Sequence, residues 1–245
     1  MNKKNFLDSK KLLFRSFIAA SPVCIGYLPL GLACGILAAK VGLSPIQIAL
    51  ISIIVFAGSA QFISISMIST QASVFSIIIA VFVINLRHLL LSSTLSKYFD
   101  KIKKTKLLLF AHGITDETFA INYNKFKSED WDYKHAFLVN ITAIIAWVFS
   151  NTIGGLIGPA ITIETELFSY ALTAMFIALL SFQLKRSIYW YVAFISGVLS
   201  VVFSFIIKSN LNIIIATLIA VTIAYYIDVE GERKKNNNIE TIGEE

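Results

Sequence analysis

The stretch SVFSIIIAVFVINLRHLLLSSTLS, residues 73–96, is long and apolar enough to decide the class of fold. About 20 apolar residues in a helix cross the hydrocarbon core of a bilayer. The polar residues Asn85, Arg87 and His88 interrupt this run near its middle. It therefore predicts a transmembrane helix that carries hydrogen-bonding and charged groups within the membrane.

Apolar runs of this kind recur along the whole chain. The sequence has 245 residues, of which 56% are hydrophobic and 15% charged, and its mean hydropathy is +0.74. A soluble domain averages about 25% charged residues. The further runs lie at 16–40, 46–70, 136–157, 167–184, 188–207 and 211–227, with a weaker one at 107–123. We expect an all-α polytopic membrane protein with about six to eight transmembrane helices.

The basic residues cluster beside the apolar runs. The net charge is +6, and lysine and arginine are concentrated in residues 1–15 and in the loop 97–106. This pattern is typical of cytoplasmic segments, whose partner is the anionic surface of the lipid bilayer and not a nucleic acid. We therefore divide the chain into a basic cytoplasmic N-terminus (1–15), one transmembrane domain (16–227) and a polar cytoplasmic tail (228–245).

The topology of the first half has two solutions. If the first three runs all cross from a cytoplasmic N-terminus, the lysine-rich loop 97–106 lies outside. Either this loop violates the positive-inside rule and there are eight spans, or one early run and 107–123 are re-entrant and there are about six. Pro29 and Gly31 in the first run predict a broken helix there. A weak internal repeat between 35–57 and 155–177 is a further feature typical of transporters.

Three charged residues, Arg87, Asp116 and Glu117, lie inside apolar stretches. A charge at mid-membrane costs about 2.5 kcal/mol or more, so such residues pair, face water or act. Arginine suits a carboxylate partner, and His88 beside Arg87 can carry a proton near neutral pH. The alternative is that Asn85, Arg87 and His88 reach the membrane interface or bond to a neighbouring helix.

The two acids belong to FAHGITDETFAINY, residues 110–123. On a continuous helix, His112 and Asp116 share a face and Glu117 points about 100° away. Thr115, which follows Gly113 closely, can instead cap a new helix whose first turn holds both acids, where the helix dipole stabilises them. The two interpretations are compatible, because broken helices place such ends at ligand sites in membranes.

The stretch VFAGSAQFISISM, residues 55–67, carries Ser59 and Gln61 among small residues. Small and hydroxyl residues favour close helix packing, whereas a mid-span amide such as Gln61 needs a partner or a ligand. The sequence contains no P-loop, HExxH, CxxC or nucleophile-elbow motif. We therefore expect no catalytic residue, no metal and no cofactor.

Five segments in order resemble the AzlC family, the large subunit of branched-chain amino acid exporters. They are PLGLACGILAAKVGLS (29–44), FAGSAQF (56–62), NLRHLLLSS (85–93), TDETFA (115–120) and ALTAMFIALL (171–180). The resemblance implies a multi-pass permease of the bacterial cytoplasmic membrane that exports branched-chain amino acids and their analogues. It also implies a small hydrophobic AzlD-type partner subunit.

An exporter of this kind must bind a zwitterion, and by our inference the candidate residues divide into two groups. Arg87, or a helix N-terminus at the break near Pro29–Gly31, would bind the carboxylate. Asp116 or Glu117 would bind the ammonium group or accept the coupling ion or proton. The other candidate site residues are Asn85, His88, His112, Gln61 and Ser59.

Two alternatives stay open from the sequence. One is a structural or channel-forming subunit without a substrate site. The other is an intramembrane enzyme that uses Asp116, Glu117 and His112 with Mg²⁺ on a lipid substrate.

Overall fold

Helices make up most of the part of the chain that the computed structural model describes, and no strand occurs there. It divides into two compact units, one formed by residues 1–71 with 81–168 and the other by 72–80 with 169–245. The described residues are 3–99, 102–128, 130–161, 170, 177, 181, 187–206 and 215–229.

The helices confirm the predicted class of fold. In order they are α1 (Lys3–Lys40), α2 (Pro45–Ile54), α3 (Gly58–Ser69), α4 (Val74–Ser96), α5 (Lys104–His112), α6 (Asp116–Ser128), α7 (Tyr133–Ile157), α8 (Ser187–Ser204) and α9 (Ile215–Val229). A single 3₁₀ turn, Gly158–Ala160, follows α7. Among the described residues, four helical stretches are long and apolar enough to cross a membrane, namely Lys10–Lys40, Val74–Ser96, Tyr133–Ala160 and Ser187–Ser204. The protein is an all-α, multi-pass membrane protein.

The predicted helix break at Pro29 and Gly31 is wrong, because α1 runs without interruption from Lys3 to Lys40. The missing N–H of a proline weakens a helix locally, but α1 lies along α7 over much of its length, and this packing holds the helix together. Gly31 allows this close contact, because a Cβ atom at residue 31 would come within 1.9 Å of Ser150 Oγ.

The crossing of α1 and α7 depends on further glycines. A Cβ at Gly35 would lie 2.0 Å from the carbonyl oxygen of Asn151, and one at Gly154 would lie 2.3 Å from that of Leu32. Small residues four apart let two helix backbones approach closely in a membrane. These glycines therefore allow the close contact that forms the centre of the first unit.

Two of the predicted runs are broken helices. The run 46–70, expected as one span, is instead the pair α2 and α3 separated at residues 55–57, where Phe56 has a φ of +37°. The weaker run 107–123 lies in α5 and α6, which are separated at 113–115, as the capping interpretation predicted. At about 1.5 Å per residue, the 10 and 12 residues of α2 and α3 are each too short to cross a core of about 30 Å.

Some expectations fall outside the described residues. The second member of the predicted repeat, 155–177, and the run 167–184 lie largely beyond residue 161, after which the structure describes only separate positions up to 187. The tail is described only to residue 229.

Candidate functional site

The two helix breaks meet at His112. The ring Nε2 of His112, the last residue of α5, lies 2.7 Å from the carbonyl oxygen of Ile53 near the end of α2. Its ring centre is 6.3 Å from that of Phe56, which lies in the first break. The last carbonyls of a helix have no partner within it, so an N–H at Nε2 satisfies one that the break exposes. Because α6 begins only at Asp116, His112 and Asp116 do not share a continuous helix.

Arg87 joins the N-termini of two half-helices. Its Nη1 lies 2.7 Å from Asp116 Oδ2, and its Nη2 donates to Ser59 Oγ at 2.8 Å. Asp116 is the first residue of α6 and Ser59 the second of α3, whereas Arg87 lies in the middle of α4. The Arg87 and Asp116 side chains are 30% and 48% exposed, so a molecule from outside the protein can reach the pair.

The start of α3 and the Arg87 guanidinium place positive groups side by side. The N-terminus of a helix carries a partial positive charge from its unpaired N–H groups. The cap of α3 is Ala57, which offers no side-chain acceptor to these groups. With the Arg87 guanidinium beside them, the positive groups are balanced by the Asp116 carboxylate. A carboxylate ligand would therefore compete with Asp116 for Arg87.

Glu117 bonds to a different helix from its neighbour Asp116. The Tyr27 hydroxyl, on α1, donates to Glu117 Oε2 at 2.9 Å and shares a 2.7 Å hydrogen bond with Thr115 Oγ1. Tyr27 is only 7% exposed, so its hydroxyl is held inside the protein. Adjacent acids in the first turn of α6 thus connect it to α4 and α1 separately.

The break before α6 is closed by two threonines. Thr118 N–H donates to Thr115 Oγ1 at 3.3 Å, and Thr115 N–H donates to Thr118 Oγ1 at 2.8 Å. The Thr118 hydroxyl also donates to the carbonyl of Gly113 at 3.1 Å. These bonds confirm Thr115 as the N-cap and fix Asp116 and Glu117 in the first turn.

Gln61 has protein partners at both ends of its amide. Its Nε2 donates to Ser52 Oγ at 3.0 Å, and its Oε1 accepts from Trp147 Nε1 at 2.6 Å. The residue is 1% exposed. Gln61 therefore ties α2, α3 and α7 together across the first break, and it lies outside the Arg87 cluster.

A second buried network holds the other break. Asn140 of α7 donates from Nδ2 to the carbonyl of Phe110 at 3.0 Å and accepts from Asn122 Nδ2 at the same distance. Asn122 accepts in turn from Trp131 Nε1 at 3.1 Å. A Cβ at Gly113 would come within 2.7 Å of Asn140 Cβ. The packing of α7 thus fixes the end of α5 and the start of the break.

One stretch of α4 carries buried polar atoms that have no hydrogen-bond partner among the described residues. These atoms are Asn85 Oδ1, Arg87 Nε and His88 Nε2. His88 lies within electrostatic range of Arg87, Asp116 and Glu117. A buried polar atom without a partner costs about 1–3 kcal/mol, so each of these atoms needs a partner that the described residues do not supply.

Tyr27, Thr118 and Trp147 were not predicted as site residues from the sequence. A buried phenol or indole needs a hydrogen-bond partner, and that requirement was the only available signal. Across the described ranges, no three His, Cys, Asp or Glu side chains come together as ligands for a metal ion.

Comparison with known proteins places these residues in a recognised family. The family model described as AzlC protein matches residues 22–161. The inner membrane protein YgaZ of Escherichia coli K12 is 32% identical over 181 residues, which cover 68% of this chain and 72% of that protein.

Two other relatives have similar coverage. The branched-chain amino acid transport protein AzlC of Bacillus subtilis 168 is 32% identical over 183 residues, or 73% of this chain and 70% of that protein. An uncharacterized membrane protein of Helicobacter pylori is 30% identical over 169 residues, covering 67% and 72%. No solved structure matches the chain. The family match includes both breaks, Tyr27, Arg87 and the two acids.

Proposed function

Since the chain belongs to the AzlC protein family, we propose that it is the large subunit of a secondary exporter of branched-chain amino acids and their analogues. The observation that supports this most directly is the Arg87–Asp116 ion pair between the N-termini of α3 and α6. An arginine and a carboxylate of this kind are the two partners that an amino acid zwitterion requires. The proposed transport domain is 16–227, and the proposed partner is a small hydrophobic AzlD-type subunit.

The substrate binds by exchanging partners within the ion pair. Its carboxylate takes the place of Asp116 on Arg87, and the N–H groups at the start of α3 and the Ser59 hydroxyl complete its hydrogen bonds. Asp116, freed from Arg87, accepts the ammonium group. Each charge keeps an opposite charge throughout, so no uncompensated ion is left in the membrane.

The aliphatic side chain of the substrate enters an apolar cavity beside the cluster. A cavity of about 430 Å³ lies between α4 and α5, and Leu107, Phe110 and Ile114 are among its lining residues. Its volume is in the range of small-molecule sites. Ser92, Ser93, Ser96 and Lys104 also line this cavity, and Ile114 belongs to the second break, two residues before Asp116 in the sequence.

Release to the other side requires the half-helices to move. Broken helices that meet at a polar site are the usual moving parts of secondary transporters. His112 connects the two breaks directly, so a shift of α5 and α6 displaces α2 as well. We expect export to draw its energy from an ion or proton gradient.

Efflux of labelled leucine from loaded cells tests this proposal, with the small partner co-expressed. Arg87→Gln and Asp116→Asn should each reduce the rate of efflux roughly 30-fold, since loss of one partner of a charge pair costs about 2 kcal/mol. Arg87→Lys should retain part of the activity, because it keeps the charge and loses the second hydrogen bond.

The matched control is Lys103→Gln, which removes an exposed charge from the loop before α5. It should leave efflux unchanged. Membrane insertion of every variant is checked by its abundance in isolated membranes. Efflux at the wild-type rate from both Arg87→Gln and Asp116→Asn would refute the proposed site.

A further inference from the structure

We propose that Glu117, with Tyr27 as its hydrogen-bond partner, is the proton-carrying site of the transport cycle, separate from the substrate site at Asp116 and Arg87. The inference rests on the proposed function and assigns different tasks to two acids that are adjacent in sequence. The coupling ion is then a proton, and it binds in exchange for the exported amino acid.

Asp116 is unsuited to carry the proton. Its carboxylate lies 2.7 Å from Arg87 Nη1. If Asp116 were protonated, the guanidinium would lose its only ion-pair partner among the described residues while lying in a membrane helix. An unpaired charge at that depth is the costly state that ion pairs in membranes avoid. Asp116 therefore serves as the ion-pair partner of Arg87 until a substrate carboxylate takes its place.

Glu117 has different surroundings. Its hydrogen bond comes from the neutral Tyr27 hydroxyl, and no described Lys, Arg or His side chain lies within ion-pair distance of it. Protonation of Glu117 therefore leaves no cation without a partner. The acid can gain and lose a proton at a small electrostatic cost to its neighbours.

The hydroxyl groups behind Glu117 can satisfy both of its protonation states. With the carboxylate charged, Tyr27 donates to Glu117 and accepts from Thr115. With the acid protonated, Glu117 donates to Tyr27, Tyr27 to Thr115, Thr115 to Thr118, and Thr118 to the Gly113 carbonyl. The atoms of each link are already in position, at 2.9, 2.7, 3.4 and 3.1 Å. Neither state leaves a buried hydroxyl without a partner.

The proton is exchanged with water and no other bond is broken. A proton from the external side adds to Oε2 of Glu117 and later leaves to the cytoplasmic side, while Tyr27 stays neutral. The titratable groups around Glu117 are Tyr27 on α1, Arg87 and His88 on α4, His112 at the end of α5, and Asp116 beside it. Neutralisation of Glu117 removes a negative charge from the N-terminus of α6, which weakens its favourable interaction with the helix dipole. Because α6 is one of the half-helices that move in the proposed transport cycle, protonation of Glu117 acts on that movement and not on the residues that bind the substrate.

Proteoliposomes with the chain and its small partner separate the two roles. Two quantities are measured for labelled leucine: exchange against internal unlabelled leucine at equal pH, and accumulation driven by a gradient of one pH unit. One coupled proton and one pH unit support a concentration ratio of at most about tenfold. We expect the wild type to exchange and to approach that ratio.

The Glu117→Gln variant should exchange leucine at a rate within about twofold of the wild type. It should accumulate leucine only to a concentration ratio of about one, because an amide resembles the protonated acid and cannot release the proton. Asp116→Asn should lose both activities. Tyr27→Phe keeps the ring that packs on Trp147, with ring centres 5.2 Å apart, and removes the hydroxyl. It should exchange leucine normally and shift the pH at which accumulation is half-maximal.

Three other outcomes of these measurements would each refute one claim. Full accumulation by Glu117→Gln, or loss of exchange equal to that of Asp116→Asn, refutes the proton role of Glu117. A wild type that exchanges leucine but accumulates it only with a sodium gradient refutes proton coupling. A wild type that neither exchanges nor accumulates leucine refutes the proposed function on which the inference rests.

Discussion

Asp116 and Glu117 are neighbours in sequence, yet their carboxylates bond to Arg87 on α4 and to Tyr27 on α1. Successive side chains on a helix point about 100° apart, so the first turn of α6 can contact two helices at once. The threonine cap holds this turn in place, because its hydrogen bonds fix where α6 begins. The position of the two acids therefore depends on the hydroxyl groups of Thr115 and Thr118.

Thr118→Val tests this dependence. Valine has nearly the same shape, but it leaves the buried Thr115 N–H and Gly113 carbonyl without the partner they have in Thr118. Each unpaired group costs about 1–3 kcal/mol. We expect a lower thermal unfolding midpoint in detergent and loss of leucine efflux. Thr118→Ser keeps the hydroxyl and should lie close to the wild type in both measurements; equal midpoints for Val and Ser would contradict the capping role.

The helices of the first unit depend on contacts with α7 at three places. Glycines on α1 and α7 allow the two backbones to touch, Gln61 joins Trp147 to the first break, and Asn140 holds the second. Phe56 adopts a left-handed conformation that costs a non-glycine residue of the order of 1 kcal/mol, and the bonds around Gln61 offset this cost. The half-helices are therefore positioned by packing against long neighbours.

Two glycines in α1 provide a matched comparison. A Cβ at Gly35 would lie 2.0 Å from the backbone oxygen of Asn151, whereas none of the described atoms lies within 4 Å of a Cβ at Gly26. Gly35→Ala should destabilise the protein by about 1–3 kcal/mol, because two backbones must separate. Gly26→Ala should be neutral or stabilising by up to about 1 kcal/mol, since alanine favours helix. The midpoints of thermal unfolding in detergent rank the stability of the two variants. A midpoint for Gly35→Ala at or above that for Gly26→Ala would show that Gly35 is not needed for the close contact of α1 and α7.

Many side chains of the molecule face outward and are apolar, as expected where lipid is the solvent. None of the residues in α8 is buried, and Trp190 on this helix is 62% exposed, against 3% for Trp147 and 7% for Trp131. These differences predict which tryptophans contact lipid chains.

Fluorescence quenching by lipids with brominated acyl chains measures this contact. In proteoliposomes, Trp190→Phe should remove most of the quenchable emission, whereas Trp131→Phe should leave it nearly unchanged, because bromine quenches only the indoles that it touches. The reverse order would show that the exposed face of α8 does not lie against lipid.

Part of this architecture could be predicted from residue types alone. The long apolar runs at 73–96 and 136–157 became α4 and α7. The isolated charges at Arg87 and Asp116 were predicted to need a partner, water or a task, and the fold brings the two together as an ion pair. Local chemistry also predicted the Thr115 cap. The break predicted at Pro29 and Gly31 is wrong, because local residue preference indicated a break at a place where contact with α7 keeps α1 continuous.

The sequence by itself determined the membrane environment and the charges that must find partners in it, since hydropathy and the cost of burying a charge depend on residue type. Only the tertiary structure decided where the chain breaks and which acid meets which helix. Those outcomes depend on hydrogen bonds between residues 59 and 90 positions apart, His112 with Ile53 and Glu117 with Tyr27. Such bonds form only when packed helices bring distant groups together, and no local pattern in the sequence encodes them.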